Sequence, residues 1–176
     1  MKASLVMTII GVDHPGLVGR LSALIAEHGG NWLESRMVHI GDQFAGTLHI
    51  EIPTEEEPGL LTALLSLEPQ SLSVSVQRDA TIPAPVAHKL ATIKVIGHDQ
   101  PGIVRQISEV LARHQVNIEE LTSDCQSAAT SGETLFRATA KVRLPESCGL
   151  DLLRHELGQI GTDLMVDITV RPVKAS

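Results

Sequence analysis

"GVDHPGLVGRL", residues 11–21, follows the apolar run "SLVMTII" and is answered far downstream by "GHDQPGIVRQI", residues 97–107. The two stretches align at an offset of 86 that holds without a gap from Gly11 and Gly97 to Glu34 and Glu120, with 10 of 24 positions identical. Unrelated segments would agree at only one or two, so an internal repeat decides the architecture before any element is assigned. Pro53 answers to Pro145, an offset of 92, and the second copy therefore carries six extra residues, placed by composition in "TSDCQSAATSGET", residues 122–134. That small, polar run reads as a lengthened hairpin loop.

"RDATIPAPVAHK", residues 78–89, has two prolines and neither a helical nor a strand period. It predicts a linker at 81–88 between a first domain at 1–80 and a second at 89–176. Within each copy the period assigns the elements. "SLVMTII" and "LATIKVI" are short β-branched strands, and each following Pro-Gly reads as a helix start. Leu17, Leu21, Leu24 and Ile25, and Ile103, Ile107, Val110 and Leu111, then recur at helical spacing. Phe44, Leu48, Ile50 and Ile52 share one strand parity, as do Phe136, Ala138, Ala140, Val142 and Leu144, which leaves Arg137, Thr139, Lys141 and Arg143 on the wetter side. Second helices are seeded by Leu60, Leu61, Leu64 and Leu65 and by Leu152, Leu153 and Leu157, and each copy closes with a strand. The predicted class is α+β: two ferredoxin-like βαββαβ domains, each an antiparallel four-stranded sheet with both helices on one face.

The chain is 43% hydrophobic and 20% charged, with 14 Lys and Arg against 21 Asp and Glu and only 2% aromatic residues. The cations are scattered singly along the sequence, so a phosphate backbone finds no basic segment and direct nucleic-acid binding is not expected. No run approaches the roughly 20 apolar residues that span a bilayer, and no leader pattern opens the chain, so a cytoplasmic protein without a membrane partner is expected. Cys125 and Cys148 lack metal-ligand spacing. Cys125 is placed in the lengthened loop and has no basic sequence neighbour to activate it.

The Asp-x-Pro-Gly loop joins a strand to a helix N-terminus, where unpaired N–H groups and the dipole favour an anion. Gly16 and Gly102 permit close approach of a ligand to the backbone. Asp13 and Asp99 stand beside them with negative charge, and Asn31 and Asn117 supply an amide just past the helix. A zwitterion suits the set, its carboxylate on the helix end and its ammonium on the Asp. On spacing alone a purely structural reading stays open: Asp as N-cap and Asn as a left-handed C-cap. His39 and His49, on neighbouring strands, raise a metal site that their spacing does not support. His28 and His114 read as helix C-terminal caps, and His14 is a ligand contact only in the first copy, because its counterpart is Gln100.

"DHPGLVGRLSALIAEHGGNWLESR" and "DQPGIVRQISEVLARHQVNIEEL" resemble the ACT domain, a βαββαβ regulatory module that typically binds amino acids between copies. The resemblance implies a ligand-binding set of Asp13, His14, Pro15, Gly16, Leu17 and Asn31 in the first copy and Asp99, Gly102, Ile103 and Asn117 in the second. With the run from Asn31 to Arg36 and "MVHIGDQFAGTLHI", the whole chain is similar to the glycine cleavage system transcriptional repressor group. That implies a non-enzymatic sensor of a small amino acid, glycine favoured, restraining a DNA-binding transcription activator by protein contact. No Gly-x-Ser-x-Gly, P-loop or HExxH motif argues for catalysis, and no cofactor or metal is expected. A homodimer is expected, and the two copies, Trp32 against Ile118 and "HGGN" against "HQVN", are expected to differ in role. The alternative is a docking subunit that has lost ligand binding and regulates an amino-acid metabolic enzyme.

Overall fold

The computed structural model describes residues 1–67, 72–79, 89–127 and 133–173. It divides into two compact units, Met1–Pro83 and Ala84–Ser176, while residues 81–88, read as a linker, lie outside the described residues. The first unit runs β1 (Lys2–Val12), α1 (Leu17–Glu27), β2 (Asn31–Ile40), β3 (Gln43–Pro53), α2 (Glu57–Leu65) and β4 (Leu72–Arg78). The second runs β5 (Lys89–His98), α3 (Ile103–Arg113), β6 (Asn117–Ser127), β7 (Thr134–Leu144), α4 (Leu150–Asp163) and β8 (Val166–Pro172). Both sheets are antiparallel, ordered β2-β3-β1-β4 and β6-β7-β5-β8. The α+β class and the βαββαβ order read from the repeat are those of the structure.

Strand alternation builds each core. On β1, Leu5, Met7 and Ile9 have no exposed surface, while Val6, Thr8 and Ile10 between them face outward. The buried set packs with Leu48, Ile50 and Ile52 of β3 beneath Leu17, Leu21 and Ile25 of α1 and Leu60 and Leu64 of α2. In the second unit Ile93, Val95, Ala140 and Val142 play the same part beneath Ile103, Ile107, Leu111, Leu153 and Leu157. Truncating one such leucine costs about 2–5 kcal/mol, a large share of the roughly 5–15 kcal/mol that holds a domain folded.

Several local expectations are corrected. Pro15 and Gly16 lie before α1 rather than in its first turn: Gly16 is the residue that caps the helix, with φ 91°, and Gly102 matches it with φ 98°. A side chain at either position would meet the left-handed penalty, which is why the repeat retains Gly there. Of the leucines that seed the second helices, Leu65 and Leu152 are exposed because α2 and α4 each turn only one face to the sheet. Cys125 lies on β6 opposite Phe136, not in a loop; of the lengthened segment, residues 128–132 lie outside the described residues. Gly30 is held by packing: a Cβ there would stand 2.8 Å from Ile25 Cγ2, so the "HGGN" turn is a close contact.

In the first unit the start of α2 is tied to the end of β4 by Arg78, whose Nε and Nη2 donate to the Glu57 carboxylate at 3.0 and 2.7 Å. Those hydrogen bonds hold the Glu57 carboxyl below its ordinary value near 4.5. Stability from this pair is therefore present above the unfolded carboxyl's pKa and is lost as pH falls through the lower folded value. Between about pH 5 and about pH 3 the thermal midpoint, followed by circular dichroism, should fall more steeply for the native chain than for Glu57→Gln.

Candidate functional site

Each Asp-x-Pro-Gly loop leaves the end of a central strand and enters a helix with no side-chain cap and no acidic residue in its first turn. Asp13 and Asp99 are therefore not the N-caps that one reading of the sequence allows. Their backbones are instead fixed to the neighbouring hairpin: Asp13 N–H donates to the Asp42 carbonyl at 3.4 Å and Asp99 N–H to that of Thr134 at 2.9 Å. The uncapped N–H groups of α1 and α3 and an exposed carboxylate thus stand together at the loop end of both sheets. Leu17 and Ile103 turn their side chains into the cores, 5% and 2% exposed, so only their backbones face the loop. His14 is half-buried and Pro15 is exposed.

The asparagines are elsewhere. Asn31 opens β2 and is paired through Glu51 to Ser4, whereas Asp13 follows Val12, which pairs with Gln43 at the far end of the same sheet. From Asn31 to Ile40 β2 extends about 30 Å at roughly 3.3 Å per residue, so one copy does not close Asp13 and Asn31 on one small ligand. The same register separates Asn117 from Asp99. Neither Asn is the left-handed residue after its helix; Gly29 and Gln115 hold that conformation, with φ 66° and 55°.

A model of the ACT domain matches residues 3–77, and a second ACT-domain match covers residues 91–138. The chain belongs to the ACT-domain family. It is 22% identical over 174 residues to the glycine cleavage system transcriptional repressor of Escherichia coli strain K12, spanning 98% of this chain and 91% of that one. A protein named UPF0237 protein MK1213, of Methanopyrus kandleri, is 40% identical over 82 residues, 46% of this chain and 84% of its own length. The crystal structure of an unknown protein from Galdieria sulphuraria superposes with a TM-score of 0.87 at 26% identity, covering 99% of this chain and all of that one. A crystal structure described as a glycine cleavage system transcriptional repressor superposes at 0.70 with 22% identity and 99% coverage of both, a likeness of fold.

The two ACT domains surround their loops differently. Asp13 Oδ2 lies 3.9 Å from Nε2 of His39, near the end of β2. Cys125, 86 residues beyond His39 and opposite Phe136 as His39 is opposite Phe44, stands against Asp99 in the second domain. His39, on β2, thus faces the Asp13 loop and is not half of a His39 and His49 metal pair. His49 lies on the open face of the sheet, bonded to Ser4 Oγ at 2.7 Å, five positions along β3 from Phe44. The approach of His39 to Asp13 depends on cross-strand register; the offset of 86 equates His39 with Cys125 and does not report that register. Gln100, the counterpart of His14, donates its amide to the Leu164 carbonyl and so braces the end of α4. Asn117 donates to Glu119 at 2.6 Å, and Arg143 holds the same carboxylate at 2.6 Å, an anchor that the first domain lacks because Leu33 stands at the equivalent bulge. His28 and His114 both take the C-cap positions of their helices; the Nδ1 of His28 lies 2.8 Å from the Leu24 carbonyl, while the His114 side chain reaches Glu156 of α4 at 2.9 Å.

Among the described residues no group of three or more His, Cys, Asp or Glu side chains has metal-binding geometry. The Cys125 thiol is pushed up by partial desolvation, then by the charge of Asp99 and its hydrogen bond, then by Asp124. It should react with a disulfide reagent at pH 8 more slowly than an unhindered thiol, and Asp99→Asn should accelerate it several-fold. A Cys125→Ser control leaves only buried Cys148, which reacts on unfolding.

Proposed function

We propose that this chain is a non-enzymatic, cytoplasmic amino-acid sensor that regulates transcription by contact with a DNA-binding activator protein. The observation that carries the reading is the pairing, in both domains, of an uncapped helix N-terminus and left-handed Gly with an exposed Asp. That pairing complements a free carboxylate and ammonium on one small molecule. Glycine is the favoured effector because the repressor of Escherichia coli, alike over 98% of this chain, is named for the glycine cleavage system. Asp13, His14, Pro15, Gly16 and the Leu17 backbone form the first loop site; Asp99, Gly102 and the Ile103 backbone form the second. The net charge of −7 accords with a protein partner and not with DNA as the direct target.

The separation of Asp13 from Asn31 gives the dimer a purpose. β2 is an edge strand with most of its side chains exposed. Two copies joined edge to edge along antiparallel β2 strands set Asn31 of the partner subunit beside Asp13. Such a site is complete only in the dimer. The tied amide of Asn117 favours the first domain as the one that binds.

Calorimetric titration with glycine, serine and valine tests the sensor: one of them should saturate, and Asp13→Ala should weaken it at least about tenfold, roughly 1.4 kcal/mol. Absence of saturation by all three transfers the weight to a docking subunit of an amino-acid metabolic enzyme. Light scattering at micromolar concentration should give the mass of a dimer, and a monomer mass would remove the shared site.

A further inference from the structure

The cations that are scattered in sequence are gathered by the fold. Strand alternation on β5, β7 and β8 places Lys94, Arg137, Lys141, Arg143 and Arg171 on the sheet face of the second unit that is turned away from its helices. These are half of that unit's 10 Lys and Arg. Arg143 is engaged by Glu119 at 2.6 Å, and Lys141 lies 3.9 Å from Glu120. Lys94, Arg137 and Arg171 form no ion pair with the described residues, and all three are exposed. Lys94 sits at the centre, directly across from Thr139 and Thr169 on the neighbouring strands.

Nothing in the fold requires this. The first unit has the same sheet with Thr8, Ala45, His49, Glu51 and Gln77 at the five equivalent places. It holds 4 Lys and Arg against 10 Asp and Glu, a charge of −6, while the second holds 10 against 11, a charge of −1. The carboxylates of this face stand on its two edge strands: on β6 Asp124 is directly opposite Arg137 and Glu120 opposite Lys141, and on β8 Asp167 lies two residues along from Thr169.

We propose that this face docks a carboxylate-bearing protein surface, its acidic centre meeting Lys94, Arg137 and Arg171. The proposal rests on the reading that the chain acts through a protein partner and assigns that contact to the second domain's open sheet. Two copies of the face repel each other at their centres, so it is not a two-fold interface. The marginal carboxylates interrupt any continuous track for phosphates, and Trp32, Phe44 and Phe136 all lie on the helix side, so no ring is offered for base stacking. A protein surface with an acidic centre and a mixed rim is the complement that remains.

The test is fluorescence anisotropy of a labelled alternating Glu-Ala peptide on the full chain, against its Gln-Ala counterpart and a short DNA duplex. Saturable binding of the Glu peptide alone is expected, weakening at least about tenfold between roughly 50 and 200 mM salt. The double variant K94T/R171Q carries the residues found at these places in the sister unit, so the fold accepts them. It should lose binding about tenfold or more with an unchanged circular dichroism spectrum. Failure of the Glu peptide to saturate, equal binding of the Gln peptide, tighter binding of the duplex, or indifference to K94T/R171Q each overturns the proposal. The calorimetric amino-acid titration of the same preparation reports on the sensor separately, so loss of one is distinguishable from loss of the other.

Discussion

The two-residue period of the central strands is the constraint on which everything else depends. β1 and β5 lie between two neighbours each, so they can contribute to a core only through alternate side chains. Leu5, Met7 and Ile9, and Ala91, Ile93 and Val95, satisfy that requirement and are all but fully buried. The intervening residues are released from packing, and there the two copies part: Val6, Thr8 and Ile10 in one, Thr92, Lys94 and Ile96 in the other. A shift of one residue in register would bury Lys94 and expose Ile93. The core therefore fixes the position of every charge on the open face.

The same economy explains how the loops could diverge while the fold did not. A left-handed Gly, a buried Leu or Ile after it and a hairpin-bound Asp backbone are needed to bring each strand into its helix, and all are retained. The surrounding positions are not needed for the turn. His39 has become Cys125, His14 has become Gln100 with a bracing role at α4, and the bulge residue Leu33 has become Glu119, which ties down Asn117. Near neutral pH the first loop has an imidazole within reach of its Asp, and the second has an uncharged thiol. The two domains thus share a scaffold and offer different surroundings to the same Asp.

Much of this was legible in the sequence because repeats and periods are local signals. The offset of 86 located both loops, and the alternation of Phe136, Ala138, Ala140, Val142 and Leu144 located a core strand and, with it, the wet side bearing Arg137, Lys141 and Arg143. What escaped were relations set by cross-strand register. Asn31 and Asp13 are 18 residues apart in sequence, yet one opens β2 and the other follows β1 at the opposite end of the sheet, because α1 carries the chain back before β2 begins. Hairpin adjacency suggests His49 as the neighbour of His39, whereas the register brings His39 to Asp13. The cations counted as isolated along the chain converge only once β7, β5 and β8 are laid side by side. The Pro-Gly signal was right about where a helix begins and misled about which residue begins it, since a left-handed Gly caps from outside.

Register also determines how closely the loop and the open face of the second domain can influence one another. Gly97, Phe136 and Cys125 form one row across β5, β7 and β6, and the adjoining row is Ile96, Arg137 and Asp124. The first row lies at the Asp99 loop; the second carries Arg137 on the opposite face. Asp124 stands in both environments, contributing to the raised Cys125 thiol on one side and facing Arg137 across the strands on the other. The Asp99 loop and the cationic face of the second domain are therefore one residue step apart on β6, Cys125 belonging to the first and Asp124 to the second.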